Sequence, residues 1–258
     1  EQGKPLVDLL GGAKLEALEY SAVIESTEGA ALEGFLQKVK RFGFKQAKVK
    51  LTRDAESDRR RIAQVRAILG DHLVLRGDAN ACWSPSEARE RLPELADLGI
   101  GLVEEPVARS DRGYLPQLRR DFGHRIGIMA DESLCSFDDA AWLIHNQAVT
   151  AFNLKIGKHG GLLPSLELHR LARKTGIDCQ LGCFVGETSI LATAGATLGA
   201  LTGDLISHEG ATAALLLEHD VVDQPLMFGP GGIVPVAAID ALRINLTNCE
   251  VKGHIAWQ

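Results

Sequence analysis

The 258-residue chain has no apolar run of the ~18–20 residues that a membrane-spanning helix needs, and no signal peptide is visible at its start. No membrane association is therefore expected, and the cytoplasm is the expected location. The five cysteines, Cys82, Cys135, Cys179, Cys183 and Cys249, are odd in number and form no CxxC pair. Cys179 and Cys183 lie close together, but no His or Cys cluster completes a zinc site, so buried free thiols in a reducing compartment are expected. Positive charge is not in excess. A net charge of −6 and a pI near 5.8 argue against nucleic acid and anionic membrane surfaces as partners. The basic run Arg59, Arg60, Arg61 in DAESDRRRIAQVRAIL has acids ahead of it at helical spacing and reads as a solvated helix face. No GxGxxG or GxxxxGK[ST] loop follows the first predicted strand, which weakens a nucleotide-binding reading. With no Pro/Ser-rich linker and no low-complexity stretch, residues 1–258 read as one domain. The chain starts at Glu1 rather than Met, as expected of a processed or truncated product.

What the chain does contain is an alternation of short β-like runs and longer helical patterns. Eight runs qualify: residues 15–24, 47–51, 73–80, 100–106, 125–133, 151–157, 178–183 and 204–209. A helical pattern follows each, the last being ATAALLLEHD. Ser57, Ser84 and Ser136 read as helix starts, and Gly43, Gly70, Gly99 and Gly176 as helix ends. Repeated βα units imply a parallel sheet with right-handed crossovers. Eight of them in a chain of this length predict an α/β fold, a TIM-type barrel of (β/α)8 or (β/α)7β form.

The charges then fall in register. Lys50, Asp78, Glu104, Asp131 and Lys155 are 24 to 28 residues apart, one βα unit per step, each at or near the C-terminal end of its strand. In a TIM barrel that end is the catalytic mouth. In QAKVKL, Ala47, Val49 and Leu51 share one face and Lys48 and Lys50 the other; Arg76 and Asp78 likewise share a face. The greasy faces suit the helices, so the lysines point into the barrel with Lys50 nearer the mouth. Converging carboxylates at Asp78, Glu104 and Asp131 repel one another unless a cation joins them, and oxygen-only ligands select a hard ion, Mg2+ or alternatively Mn2+. A general base at Lys50 or Lys155 must be neutral, which a neighbouring cation favours. His208 and Glu209 end the eighth run, where substrate-contacting residues would sit. His145, His159, His169 and His219 have no partner in view.

KxK at Lys48/Lys50, GDAN at 77–80, VEEP at 103–106, ADES at 130–133 and NLKIGKHGG at 153–161 together resemble the enolase superfamily, and within it the muconate-lactonizing subgroup of the mandelate racemase/muconate lactonizing enzyme family. The resemblance implies that Asp78, Glu104 and Asp131 are metal ligands and that Lys50 and Lys155 are an acid/base pair on opposite faces of the substrate. It also implies that Lys48 tunes Lys50 and that Asn80 and Glu132 stand behind the ligands. The implied reaction is Mg2+-dependent removal of the proton α to a carboxylate, leading to racemisation or epimerisation, cycloisomerisation or β-elimination of a small carboxylate. Family members carry an N-terminal capping domain over the mouth; GKPLVDLLGG (3–12) resembles the segment that follows it. An incomplete or silent barrel that needs a cap or a partner chain is therefore the alternative reading, and an exposed apolar rim would favour a homo-oligomer. Two departures stand out. Glu187 comes late in LGCFVGETSI, and ISHEG lacks the DxD of dipeptide epimerases.

Overall fold

The computed structural model describes residues 4–241. A short helix α1 (Leu6–Leu9) leads into β1 (Ala17–Glu19) and β2 (Ala22–Ile24). Then follow α2 (Gly29–Phe42), β3 (Gln46–Lys50), α3 (Ala55–Leu69), β4 (Val74–Asp78), α4 (Pro85–Asp97), β5 (Ile100–Glu104) and, after a 3-10 turn, α5 (Leu115–Phe122). The chain continues through β6 (Gly127–Ala130), α6 (Phe137–His145), β7 (Ala151–Leu154), α7 (Leu162–Lys174), β8 (Asp178–Leu181), α8 (Ser189–Thr202), α9 (Ala213–Leu216) and β9 (Ile233–Pro235).

Strands β2 to β8 pair in parallel in sequence order. The predicted eighth strand is reduced to a bridge at His208, which pairs with both Tyr20 and Leu181. Backbone bonds from Ile206 to Cys179 (2.8 Å), Glu209 to Leu181 (2.9 Å) and Ser21 to His208 (2.8 Å) close the barrel there. The pattern expected after it, ATAALLLEHD, yields only the one-turn α9, so the barrel is of the (β/α)7β form. The first predicted strand, 15–24, is split. Tyr20 N–H donates to Gly232 and Ser21 N–H to His208, so β1 leaves the barrel to pair antiparallel with β9 and only β2 joins the wall.

Local chemistry sets the helix starts. Ser84 and Ser136 each close a capping box, with Glu87 and Asp139 answering from the third helical position. Ser57 does not start α3, because Asp54 precedes it and accepts from the N–H groups of Glu56 and Ser57. Gly43 ends α2 with φ 77°, a left-handed geometry that glycine adopts without strain.

The main core lies between wall and helices. Ala47, Val49, Leu75, Val103, Ile128, Phe152 and Leu154 meet Leu32, Leu36, Ile62, Val65, Leu92 and Leu143. Each fully buried aliphatic side chain contributes roughly 1.5–3 kcal/mol. A small plug of Leu102, Met129 and Ala151, with Ile206 against it, fills part of the barrel interior. Two surface expectations change. Among the described residues Cys179 is the buried thiol, Cys82 and Cys183 are half-buried and Cys135, just before the start of α6, is exposed, while Cys249 lies outside the described residues. Arg59 and Arg60 are solvated, but Arg61 turns inward and is only 2% exposed. Among the described residues no helix is long and apolar enough to cross a membrane.

Candidate active site

Strand pairing puts Lys50 beside Asp78 and Asp78 beside Glu104 at one level of the wall. Asp131 follows directly after β6, and Lys155 directly after β7. Around the barrel, three strands separate β3 from β7 on one side, and β8, the 206–209 segment and β2 separate them on the other. Lys50 and Lys155 therefore enter from opposite walls, with the three carboxylates on the arc between them.

The side chains form one mesh. Lys48 Nζ donates to Glu209 Oε2 (2.6 Å) and Glu104 Oε2 (3.2 Å) and lies 3.2 Å from Asp78 Oδ2. Lys50 Nζ donates to Asp78 Oδ2 (2.8 Å) and Asn80 Oδ1 (2.7 Å). Lys155 Nζ pairs with Asp131 Oδ2 and lies 5.2 Å from the centroid of the Phe184 ring. Asn80 Nδ2 reaches Glu132 Oε1 at 3.4 Å, while Glu132 Oε2 is buried without a partner. Glu209 also accepts from Arg76 (3.1 Å). His208 does not join the group. Strand parity turns it out of the barrel, against Gly199 of α8 and the Tyr20 ring, where Nδ1 meets the Glu19 carbonyl.

Several participants were not singled out from sequence. Lys158 Nζ donates to Asp131 Oδ1 (2.6 Å) and to the Asp131 and Asn153 carbonyls. Asn153 Nδ2 donates to Glu104 Oε1 (2.6 Å), and Gln180 Nε2 approaches Glu104 Oε2. Glu105, at φ 35°, accepts from the N–H groups of Asp131 and Ser133 and from the Ser133 hydroxyl, so its strained backbone is held by three bonds that shape the Asp131 turn. The parity that exposes Lys48 and Lys50 would also have found Asn153 and Gln180. Nothing in the sequence marks the Glu105 contacts, which span the turn after another strand. His159 and His169 do have partners: Leu134 O and the Lys155 N–H for the first, Asp204 for the second.

Burial pushes the Glu104 carboxyl up to about 8; Lys48 opposes this, and Asp78, Glu209 and Asp131 add repulsion. Burial acts likewise on Asp131, but the Lys158 and Lys155 ammonium groups more than offset it and hold Asp131 down at about 2. Burial alone would lower the Lys155 pKa, yet Asp131 raises it above the ordinary lysine range. Positive charge is thus plentiful at Asp131 and short at Glu104. Among the described residues no three His, Cys, Asp or Glu side chains form a preformed cation cage, because ammonium groups stand between the carboxylates. The donors themselves fit a hard divalent ion. They are buried carboxylates on three successive strand ends, and Glu104 lacks a full counter-charge.

The site is thus the mouth of a parallel (β/α)7β barrel that carries two opposed lysines and three strand-end carboxylates. The enolase C-terminal domain-like family matches residues 31–238, and the chain belongs to that family. It is 36% identical over 251 residues to the D-Ala-D/L-Ala epimerase of Cytophaga hutchinsonii, covering 97% of this chain and 67% of the relative. Among solved structures it is similar to the C. hutchinsonii dipeptide epimerase complexed with Mg and the dipeptide D-Ala-L-Val, with TM-score 0.81, 34% identity and coverage of 90% and 62% of the two chains. It is also similar to the muconate lactonizing enzyme of Pseudomonas putida, with TM-score 0.78, 29% identity and coverage of 93% and 69%. The resemblance read from the five motifs is borne out. The chain spans between about half and two thirds of the length of the first curated relatives.

Proposed function

We propose that this barrel moves the proton α to a carboxylate between Lys50 and Lys155, epimerising a small carboxylate substrate, with dipeptides the first class to test. The observation that carries the reading is the placement of these two lysines on opposite walls, with carboxylates on the arc between them. Asp78, Glu104 and Asp131 would hold Mg2+. Bound there, the ion supplies Lewis acidity to the substrate carboxylate, where charge builds as the proton leaves.

The chain's own groups do the rest. Neutral Lys50 Nζ takes the α proton from one face, and the Lys155 ammonium returns one to the other; the opposite epimer reverses the roles. Each lysine must first release its carboxylate, since an ammonium tied to Asp78 or Asp131 cannot act as a base. Lys48, held by three carboxylates, stays charged and keeps Glu104 and Glu209 in place. The Phe184 ring stands 5.2 Å from Lys155 Nζ, a cation–π contact that favours the ammonium form. The similarity to a muconate lactonizing enzyme supports a second reading, in which one lysine is the base and the other an electrostatic helper. Retention of the whole charged set disfavours a silent barrel.

The test is α-deuterium exchange in D2O over a panel of dipeptides and other carboxylates, with Mg2+ or with chelator. Mg2+-dependent exchange of both α epimers is expected, with Lys50→Ala and Lys155→Ala each abolishing exchange of the opposite epimer. Exchange of one epimer alone selects the second reading. Undiminished exchange in both variants overturns the proposal.

A further inference from the structure

The end of β3 at Lys50 and the loop that follows it are gripped by a buried ion triad outside the barrel. Asp58 is 0% exposed and pairs with Arg61 Nη1 (2.7 Å) and Arg91 Nη2 (2.7 Å). Its carboxylate also accepts from the Thr52 N–H (2.9 Å) and the Thr52 hydroxyl (3.0 Å). Arg61 Nη1 donates in turn to the Lys50 carbonyl (3.1 Å), and Arg61 Nη2 to the Ser57 hydroxyl (3.1 Å). From the α4 side, Trp83 Nε1 donates to the Thr52 carbonyl (2.8 Å), and the Arg91 guanidinium stacks 5.1 Å from the Trp83 ring centroid. The main chain of Lys50 and Thr52 is thus bonded by groups from two helices and by Trp83.

Burying one carboxylate between two guanidiniums is not the cheapest way to fill this space; apolar side chains of similar volume often serve stability as well. What the triad supplies is directional bonding to main-chain atoms beside Lys50. At the Lys155 end the main-chain bonds are local to one turn: its N–H donates to neutral His159 Nδ1 (3.3 Å), and its carbonyl accepts from the Lys158 and His159 N–H groups (3.1 Å each).

The geometry points to Asp58, acting with Arg61 and Arg91, as a positioning residue that sets the Lys50 ammonium at its proton-transfer position. This rests on the two-lysine reading above. In that reading each lysine serves one face of the α-carbon, so a displaced Lys50 harms one epimer selectively. A displacement on the scale of an ångström costs about 10²-fold in rate.

The experiment compares α-deuterium exchange from the two epimers of one substrate in the full chain with Mg2+. Lys50→Ala identifies the epimer that Lys50 serves. Asp58→Asn keeps the side-chain shape and removes the charge; Arg61→Lys keeps the charge and removes the fork that joins Asp58 to the Lys50 carbonyl. Both variants are expected to slow exchange of the Lys50-served epimer by about 10-fold to 10²-fold through kcat, leaving the other epimer within about twofold and KM little changed. Equal slowing of both epimers, or no slowing, overturns the inference and leaves the triad as fold support only. Should Asp58→Asn not fold, Arg61→Lys decides by the same criterion. If Lys50→Ala itself fails to silence one epimer, it is the two-lysine reading that falls.

Discussion

Lys48 holds together the most crowded part of the barrel interior, facing Asp78, Glu104 and Glu209 at once. Removing one partner of a buried ion group leaves uncompensated charge, which costs about 3–5 kcal/mol. Lys48→Met is therefore expected to lower stability by that amount in urea unfolding at neutral pH without metal. A loss below about 1 kcal/mol would mean that Arg76 neutralises Glu209 and that Glu104, whose carboxyl burial pushes up to about 8, stays protonated without Lys48. His159 gives a pH-dependent counterpart. Its Nε2–H donates to Leu134 O, and Nδ1 accepts the Lys155 N–H, so only the neutral ring suits both bonds. Burial, and then the Lys158 ammonium, push its pKa down from 6.5 to about 4. The unfolded chain binds that proton more readily, so the contribution is complete above pH ~6.5 and is lost as pH falls from 6.5 towards about 4, on the order of 3 kcal/mol in all. Urea midpoints at pH 7 and pH 5 check this: the wild type should lose more stability than His159→Gln over that interval. At this scale the sequence was legible wherever strand parity and unit spacing coincide, as at Lys50, Asp78, Glu104, Asp131 and Lys155. Parity applied to ISHEG separates Glu209, inside, from His208, outside. Lys158 lies in the turn after β7, where no period of two applies, and only tertiary contact reveals it.

Among the elements, helix starts were readable where a serine had an acid three residues on. Ser136 is such a case, with Asp139 closing the box. Ser136→Ala is expected to cost about 1 kcal/mol, seen as a lower Tm with exchange activity retained. A larger loss would be traced to Asp139, which also anchors Arg109 and Arg112. Ser57 failed as a helix start because a better acceptor, Asp54, comes first. Its hydroxyl instead donates to Glu28, at the start of α2, and accepts from Arg61 one turn further along α3. The strand at 15–24 failed for a similar reason. Its pattern is continuous, but its hydrogen-bond partners change at Tyr20–Ser21, and which partner lies alongside is decided by residues some two hundred positions away.

For the molecule as a whole, barrel closure and the charged mouth are one construction. The segment that completes the wall through one residue, His208, bridged to both neighbours, also delivers Glu209 to Lys48, so closing the barrel closes the ion mesh. A sheet closed by so few ladder bonds gains from any ligand that joins its strand ends. If Mg2+ binds Asp78, Glu104 and Asp131, it links β4, β5 and β6 in the folded state only, and stability rises by RT ln(1 + [Mg2+]/Kd), about 2.7 kcal/mol at a hundredfold excess over Kd. The urea midpoint should therefore climb with Mg2+ concentration and return with chelator. Glu104→Gln should shrink the climb, because a neutral amide replaces the least compensated carboxylate. Ca2+, which prefers more ligands at longer distances, should act more weakly at equal concentration. A midpoint indifferent to Mg2+ in the wild type, with the same value in Glu104→Gln, would remove the metal from the proposal and leave the lysines to hold the carboxylates alone.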